Sequence, residues 1–204
     1  MKGMTAQYLL HRTYKVQCGD TILVHAAAGG MGLILCQWAK ALGATVIGTV
    51  STEEKAEIAK AAGCDFTVVR SKKKFSRVVR EVTNGEGCAV VYEAIGKDTI
   101  QESLDSLRPM GVCAAYGHVS GVPDPVDIIQ DLGRRGSLFI TRPAIMHYVA
   151  KRADLENTST YLFDAISKGI IKANINYEFP LKEAVQAHKA IESGKTIGAT
   201  VLIP

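Results

Sequence analysis

The residues of this chain that could do chemistry gather around one glycine-rich run, Ala26-Ala27-Ala28-Gly29-Gly30-Met31-Gly32. Set against the spacing G-x-G-x-x-G, Ala27 takes the first place, Gly29 the second and Gly32 the third. A glycine in the second place lets the main chain approach a pyrophosphate closely, and one in the third lets a helix press onto a strand. Unpaired N–H groups and the positive end of a helix dipole then face the phosphates. This is dinucleotide chemistry, on condition that a strand precedes the run and a helix follows it.

The next strand end discriminates between dinucleotides. About 20 residues after the glycines, an Asp or Glu would hold the ribose 2′-hydroxyl of NAD. The residues there are Gly48-Thr49-Val50-Ser51, with no carboxylate. Glu53 and Glu54 follow, but Ser51-Thr52-Glu53-Glu54 reads as a capping box, with Glu54 reaching back to the Ser51 N–H. Lys55 lies one helical turn beyond, and Arg70 ends the following apolar run. Ser51, Lys55 and Arg70 are therefore expected to converge on a 2′-phosphate. Each such charged hydrogen bond is worth ~1.5–3 kcal/mol, so two favour NADPH over NADH by about a hundredfold or more. NADPH is the expected cofactor.

The elements that must position these residues follow from periodicity. Residues 21–25 form a short apolar run, residues 33–42 an apolar-periodic helix stopped by Gly43, and residues 45–50 a second apolar run. That is a βαβ unit. Helices are expected at 1–14, 52–62, 75–82 and 98–107, and strands at 66–69, 89–94 and 112–116, with Arg108-Pro109 as a break. A short helix at 127–132 leads to a sixth strand at 137–140. A mostly helical stretch at 148–168, an extended one at 170–177, a helix at 181–193 and a last strand at 200–203 complete the pattern. Strands alternating with helices at this spacing imply an α/β fold, a Rossmann-type doubly wound parallel six-stranded sheet with helices on both faces, plus a C-terminal helix and strand. Ligands in such sheets sit at the carboxyl ends of the strands. Ser51 and Arg70 then belong to the adenosine half of a dinucleotide. Ile95, after the fourth strand, and Tyr116, Gly117 and His118, after the fifth, belong to the nicotinamide half.

Composition removes other classes. At 204 residues the chain can bury one sizeable core, and 47% hydrophobic with 22% charged residues is ordinary for a globular protein. Arg70, Lys72, Lys73, Lys74, Arg77 and Arg80 cluster, yet only Phe75 interleaves with them. They read as a solvated helix face beside a phosphate site, not as a nucleic-acid surface. The five cysteines form no C-x-x-C pair, so neither a zinc site nor a disulfide framework is indicated. No apolar run is long enough to cross a membrane, and the first residues carry no signal-peptide pattern. A reducing cytoplasm is the expected setting.

Three fragments imitate other motifs. Ser193-Gly194-Lys195-Thr196 ends like a P-loop, but Lys189 stands where the upstream glycine is required. Tyr148 and Lys151 are one residue too close for a Tyr-x-x-x-Lys pair. His25, at a strand end, reads as a packed, hydrogen-bonded core histidine. His118 is open between a polar site residue and a loop histidine, and Arg142 between a turn residue, a partner contact and a site residue.

The run 25–32, then Gln37-Trp38 to Gly43, Val91-Tyr92-Glu93-Ala94-Ile95-Gly96, Thr141-Arg142-Pro143, and residues 179–184 with His188 and the terminal 201–204 resemble one family. It is the zinc-free NADPH:quinone oxidoreductase (ζ-crystallin-like) branch of the medium-chain dehydrogenase/reductase superfamily, and the similarity covers essentially the whole chain. The resemblance implies hydride transfer from NADPH to a small-molecule quinone, often in one-electron steps. It places Gly29, Gly30, Met31 and Gly32 at the pyrophosphate, Ser51 and Lys55 at the 2′-phosphate, and Tyr116 and Gly117 by the nicotinamide. Arg70 stands where close relatives have Tyr, and Gly194 where they have Arg, with Lys195 beside it as the substitute. The family's N-terminal GroES-like domain, which supplies the substrate-side cleft wall, has no counterpart in residues 1–204. The resemblance therefore implies one NADPH-binding domain over 1–204, with no catalytic acid or base and no metal ligand of its own. It also implies a homodimer through the sixth strand. Two other readings stand beside it: an NADPH-binding module without its own turnover, and an enoyl reductase of the same superfamily.

Overall fold

The computed structural model describes residues 1–204 apart from Asn174 and Lys195. Six strands, β1 (Thr21–Val24), β2 (Thr45–Val50), β3 (Phe66–Val69), β4 (Cys88–Glu93), β5 (Leu107–Ala115) and β6 (Phe139–Thr141), form one sheet. Its order is β3-β2-β1-β4-β5-β6, and every pairing is parallel. The order reverses between β1 and β4, which opens a crevice at their carboxyl ends.

Alternation along each strand divides the core. Ile22, Val24, Val46, Val50, Val90, Tyr92 and Ala114 pack on one face with side chains of α1 (Lys2–Tyr8), α2 (Gly32–Ala41), α3 (Glu53–Ala61) and α7 (Arg152–Ser167). Leu23, Ile47, Val91 and Cys113 point the other way, onto Phe75 and Val79 of α4 (Phe75–Val82) and Ile100 and Leu104 of α5 (Ile100–Asp105). Strands buried on both faces need unbroken apolar runs, and β4 is buried at all six positions. The expected doubly wound sheet is therefore present.

Several boundaries move. The chain continues from α1 into a π-helical turn, Leu9–Thr13. Helix α5 is shorter than expected, and β5 starts at Leu107, running through Arg108-Pro109 where a break was expected. Leu107 pairs with Cys88, the register then shifts, and Val112 pairs with Val90. The intervening Pro109 and Met110 form a bulge, with Met110 at φ +59°; a bulge is where a strand tolerates proline. Strand β6 begins two residues later than expected, because Ser137 takes φ +56° and Leu138 sinks into the second core. The short helix at 127–132 is a π-helical turn, Ile128–Gly133, capped by the Asp127 side chain. After a short α6 (Ile145–Tyr148) and α7, β7 (Ile175–Pro180) and β8 (Ala199–Ile203) pair with each other in a separate two-stranded parallel sheet, with α8 (Ala184–Glu192) between them.

Candidate cofactor site

The glycine run links β1 to α2 through a turn whose geometry is set by Ala26, at φ +50°. Its carbonyl accepts the Gly29 N–H at 2.8 Å, and the Gly29 carbonyl accepts the Leu33 N–H at 2.9 Å. The left-handed residue is thus Ala26, one before the position aligned with the motif's first glycine; Ala27 is fully buried and donates its N–H to the Thr49 carbonyl at 3.0 Å. A Cβ on Gly32 would strike the Ala26 carbonyl oxygen and stand 2.6 Å from Ala27 Cα. Gly32 therefore lets α2 seat against the turn, the role its spacing predicts. Gly30 faces the far end of the chain: a Cβ there would lie 2.8 Å from the Gly198 carbonyl oxygen and 2.6 Å from Lys2 Nζ.

Two adjoining cavities open beside this turn. One, of about 450 Å³, has Gly29, Gly30, Met31 and Gly32 on one side and Ala94, Tyr116 and Gly117 on another. The second, of about 270 Å³, brings together Ser51, Lys55, Arg70 and Ile95. Ala26, Gly29, Val119 and Thr196 line both, so the two form one crevice across the switch point. Ile95 lies in the cavity of Ser51 and Arg70, not in that of Tyr116 and Gly117 with which it was grouped. His118 lines neither cavity; its Nδ1 lies 3.5 Å from Arg142 Nη2, and Arg142 also donates to the Tyr116 and Pro143 carbonyls. The Arg142 side chain thus ties the ends of β5 and β6 together. Lys195 lies outside the described residues.

Electrostatics single out the smaller cavity. Among the described residues no carboxylate pairs with Lys55 or Arg70, whereas Glu53 is held by Lys72 at 2.6 Å and lines neither cavity. Lys55 Nζ instead donates to the Gly194 carbonyl at 2.6 Å. The expected cap is displaced by one residue, and Lys55, three positions after it, offers no carboxylate to close a capping box. Thr52, extended at φ −140°, is the N-cap of α3, and its hydroxyl accepts the Lys55 N–H at 3.3 Å. Ser51 is therefore released from capping and faces the cavity.

Beneath the crevice floor is a polar network that sequence reasoning missed, apart from the core role given to His25. Glu93, at the end of β4, is fully buried. Its Oε1 accepts the Ile95 N–H at 2.7 Å, the Gly96 N–H at 3.0 Å and the Thr99 hydroxyl at 3.0 Å. Its Oε2 accepts the Ser103 hydroxyl. His25 bridges Ser103 Oγ through Nε2, at 2.9 Å, and Thr49 Oγ1 through Nδ1, at 2.8 Å. Burial pushes the His25 pKa down, and the Glu93 carboxylate opposes that in part. Burial, then Glu93, pushes the Tyr116 phenol up, so it stays protonated at neutral pH. Lys2, Gly198 and Thr200 also reach the larger cavity, from segments too distant in sequence for any local signal to place them, and Val119 does so just beyond the expected Tyr116 to His118.

Residues 30–152 match the family model described as zinc-binding dehydrogenase. The chain belongs to the zinc-binding dehydrogenase family. That family is part of the medium-chain dehydrogenase/reductase superfamily, as the sequence resemblance implied. Over its whole length the chain is 58% identical to a 2-haloacrylate reductase of a Burkholderia species and 45% identical to a quinone oxidoreductase of Pseudomonas aeruginosa. It superposes with TM-score 0.94 on the crystal structure of a 2-haloacrylate reductase, covering 63% of that chain. On the Escherichia coli quinone oxidoreductase complexed with NADPH the TM-score is 0.95, at 41% identity, and the share covered is again 63%. The chain spans about three fifths of the length of the relatives it matches: 61% of the Burkholderia protein and 62% of the Pseudomonas one. Despite the family's name, no group of three or more His, Cys, Asp or Glu among the described residues could hold a metal ion.

Proposed function

We propose that residues 1–204 are the NADPH-binding Rossmann domain of an NADPH-dependent oxidoreductase of the quinone reductase type. The observation that carries this reading is the smaller cavity, where Ser51, Lys55 and Arg70 meet with no paired carboxylate beside the glycine turn. The space over Gly29 and Gly30 suits a pyrophosphate, and the cations suit a 2′-phosphate, as a guanidinium forks onto phosphate oxygens. Tyr116 and Gly117 are suited to flank the nicotinamide. When bound, NADPH supplies a hydride to the acceptor. The chain's own part is to bind and orient: Lys55 and Arg70 fix the adenosine end, and the turn at Gly29 to Gly32 fixes the phosphates. We assign no catalytic acid or base and no metal within these residues, and Lys195 keeps its proposed place at the cofactor.

The acceptor is a small, electron-poor conjugated molecule, a quinone on the strength of the quinone oxidoreductase relatives. A second reading, reduction of an activated alkene, is favoured by the 58% identity to a 2-haloacrylate reductase. The substrate-side wall comes from a GroES-like domain outside these residues, and the setting is a reducing cytoplasm, with no nucleic-acid or membrane partner. A homodimer through β6 is supported by that strand's place at the sheet edge and by Phe139, 60% exposed there. Among the described residues no helix is long and apolar enough to cross a membrane.

Calorimetric titration of the 204-residue chain with NADPH and NADH tests the cofactor. NADPH binding at least about a hundredfold tighter than NADH is expected; equal affinities overturn the assignment of Ser51, Lys55 and Arg70. Consumption of NADPH with 1,4-benzoquinone or with 2-chloroacrylate, by the chain joined to its substrate-side domain, then selects the acceptor.

A further inference from the structure

The network beneath the crevice floor is more ordered than packing alone requires. The Ser103 hydroxyl donates to Glu93 Oε2, whose partner Oε1 already accepts the Ile95 and Gly96 N–H groups. Ser103 Oγ is then free to accept from His25 Nε2–H. With its proton on Nε2, the neutral ring accepts the Thr49 hydroxyl at Nδ1. Every donor points one way, from Thr49 through His25 and Ser103 to Glu93, and all four residues are fully buried.

Each end of this chain meets the crevice. At one end Glu93 Oε1 holds the Ile95 and Gly96 N–H groups, fixing a turn whose Ala94 lines the larger cavity and whose Ile95 lines the smaller. At the other end Thr49 lines the smaller cavity, and its carbonyl holds the Ala27 N–H of the glycine turn. We propose that Glu93 is a positioning residue for the cofactor: through Ser103 and His25 it sets the β4 exit turn and the glycine turn in register with each other. It touches no reacting atom. The inference rests on the NADPH reading above.

Glu93→Gln is the informative variant. Its carbonyl can still accept from Ile95 and Gly96, but its amide group must donate where Oε2 accepted. Ser103 then accepts from Gln and donates to His25 Nε2, which moves the ring proton to Nδ1. Nitrogen-15 NMR of the imidazole should show the two ring nitrogens exchanging roles, a change that loss of packing would not produce. Calorimetry on the folded variant should show NADPH binding about tenfold weaker or more. Ser103→Ala, which removes the bridging hydroxyl and leaves only the 3.3 Å contact between His25 Nε2 and Glu93 Oε2, should weaken NADPH by about threefold or more, with an unfolding temperature near the parent's.

Should Glu93→Gln fail to fold, Ser103→Ala carries the test. NADPH affinity within about twofold of the parent in the folded variants overturns the proposal, as does a parent His25 protonated on Nδ1. A parent chain that binds no NADPH sinks the nucleotide reading instead. The Ile95 and Gly96 amide resonances then decide: unmoved by Ser103→Ala, they overturn positioning, and shifted, they retain it.

Discussion

Lys55 Nζ donates to the Gly194 carbonyl at 2.6 Å, so a residue of α3 closes onto the turn that follows α8. The ammonium keeps two further protons, and no carboxylate among the described residues neutralises it. It stands beside Arg70 as a second unspent positive charge.

Removing either charge should change which cofactor is held. Lys55→Gln and Arg70→Gln are each expected to weaken NADPH by about tenfold while leaving NADH within about twofold, because only the 2′-phosphate meets them. Parallel calorimetric titrations check this, and equal losses for both cofactors would place the phosphate elsewhere.

Gly32 should tolerate no side chain. A Cβ there meets backbone, the Ala26 carbonyl and Ala27 Cα, which cannot rotate away. Gly32→Ala is expected to cost about 2–3 kcal/mol or more in urea unfolding, as overpacked cores do. Gly85, at φ +92° with nothing within 4 Å of its Cβ position, is the control. Gly85→Ala should cost only about 1 kcal/mol, the strain of a left-handed alanine.

Acid should loosen the fold before carboxylates titrate. Burial lowers the pKa of His25, and burial followed by Lys15 lowers that of His11. Both are neutral in the native state at a pH where the unfolded chain, near 6.5, takes up protons. The unfolded state therefore binds more protons below about pH 6.5, and stability falls as pH falls, by at most about 1.4 kcal/mol per pH unit for each histidine. Urea unfolding from pH 8 to pH 5.5 should show that loss, and His11→Asn should reduce its slope. A pH-independent midpoint would contradict neutral rings in the native state.

Thiol chemistry should separate one cysteine from four. Cys18 is exposed, while Cys36, Cys64, Cys88 and Cys113 are buried. Burial pushes the Cys88 thiol up to about 12, and Cys36 and Cys113 are raised as well, Cys36 first by its contact with Cys64. An aromatic disulfide reagent at pH 8 should titrate one thiol in the native chain and five in denaturant. More than one fast thiol in the native protein would show a looser core.

The sheet was legible because strands buried on both faces must be written as apolar runs, and glycine or Asn-Gly follows the ends of α2, α3, α4, α7 and α8. The glycine turn was legible for the same local reason: Gly32 answers to atoms six residues away or fewer. What escaped was decided by partners. Pro109 reads as a break from within its own segment, yet pairing with β4 draws Leu107 into the sheet and leaves the proline on a bulge. Ser51 and Thr52 are equally good caps on paper, and only the extended backbone of Thr52 chooses between them. The carboxylate of Glu93 finds Ser103 and His25 through folding alone, so no spacing rule announces the network. His118 was placed by its position after β5, but its ring turned to Arg142, a partner from β6's exit.

The Gly198 N–H donates to the Ala28 carbonyl at 3.1 Å, and Gly198 also bridges to Gly29. During synthesis the glycine turn and α2 leave the ribosome early, whereas Gly198 emerges only after the whole six-stranded sheet. A nascent chain can thus form its sheet and still lack one rim of the crevice. Competence to hold a ligand should arrive as a late, separate event in the life of each molecule, after most of its folding is done.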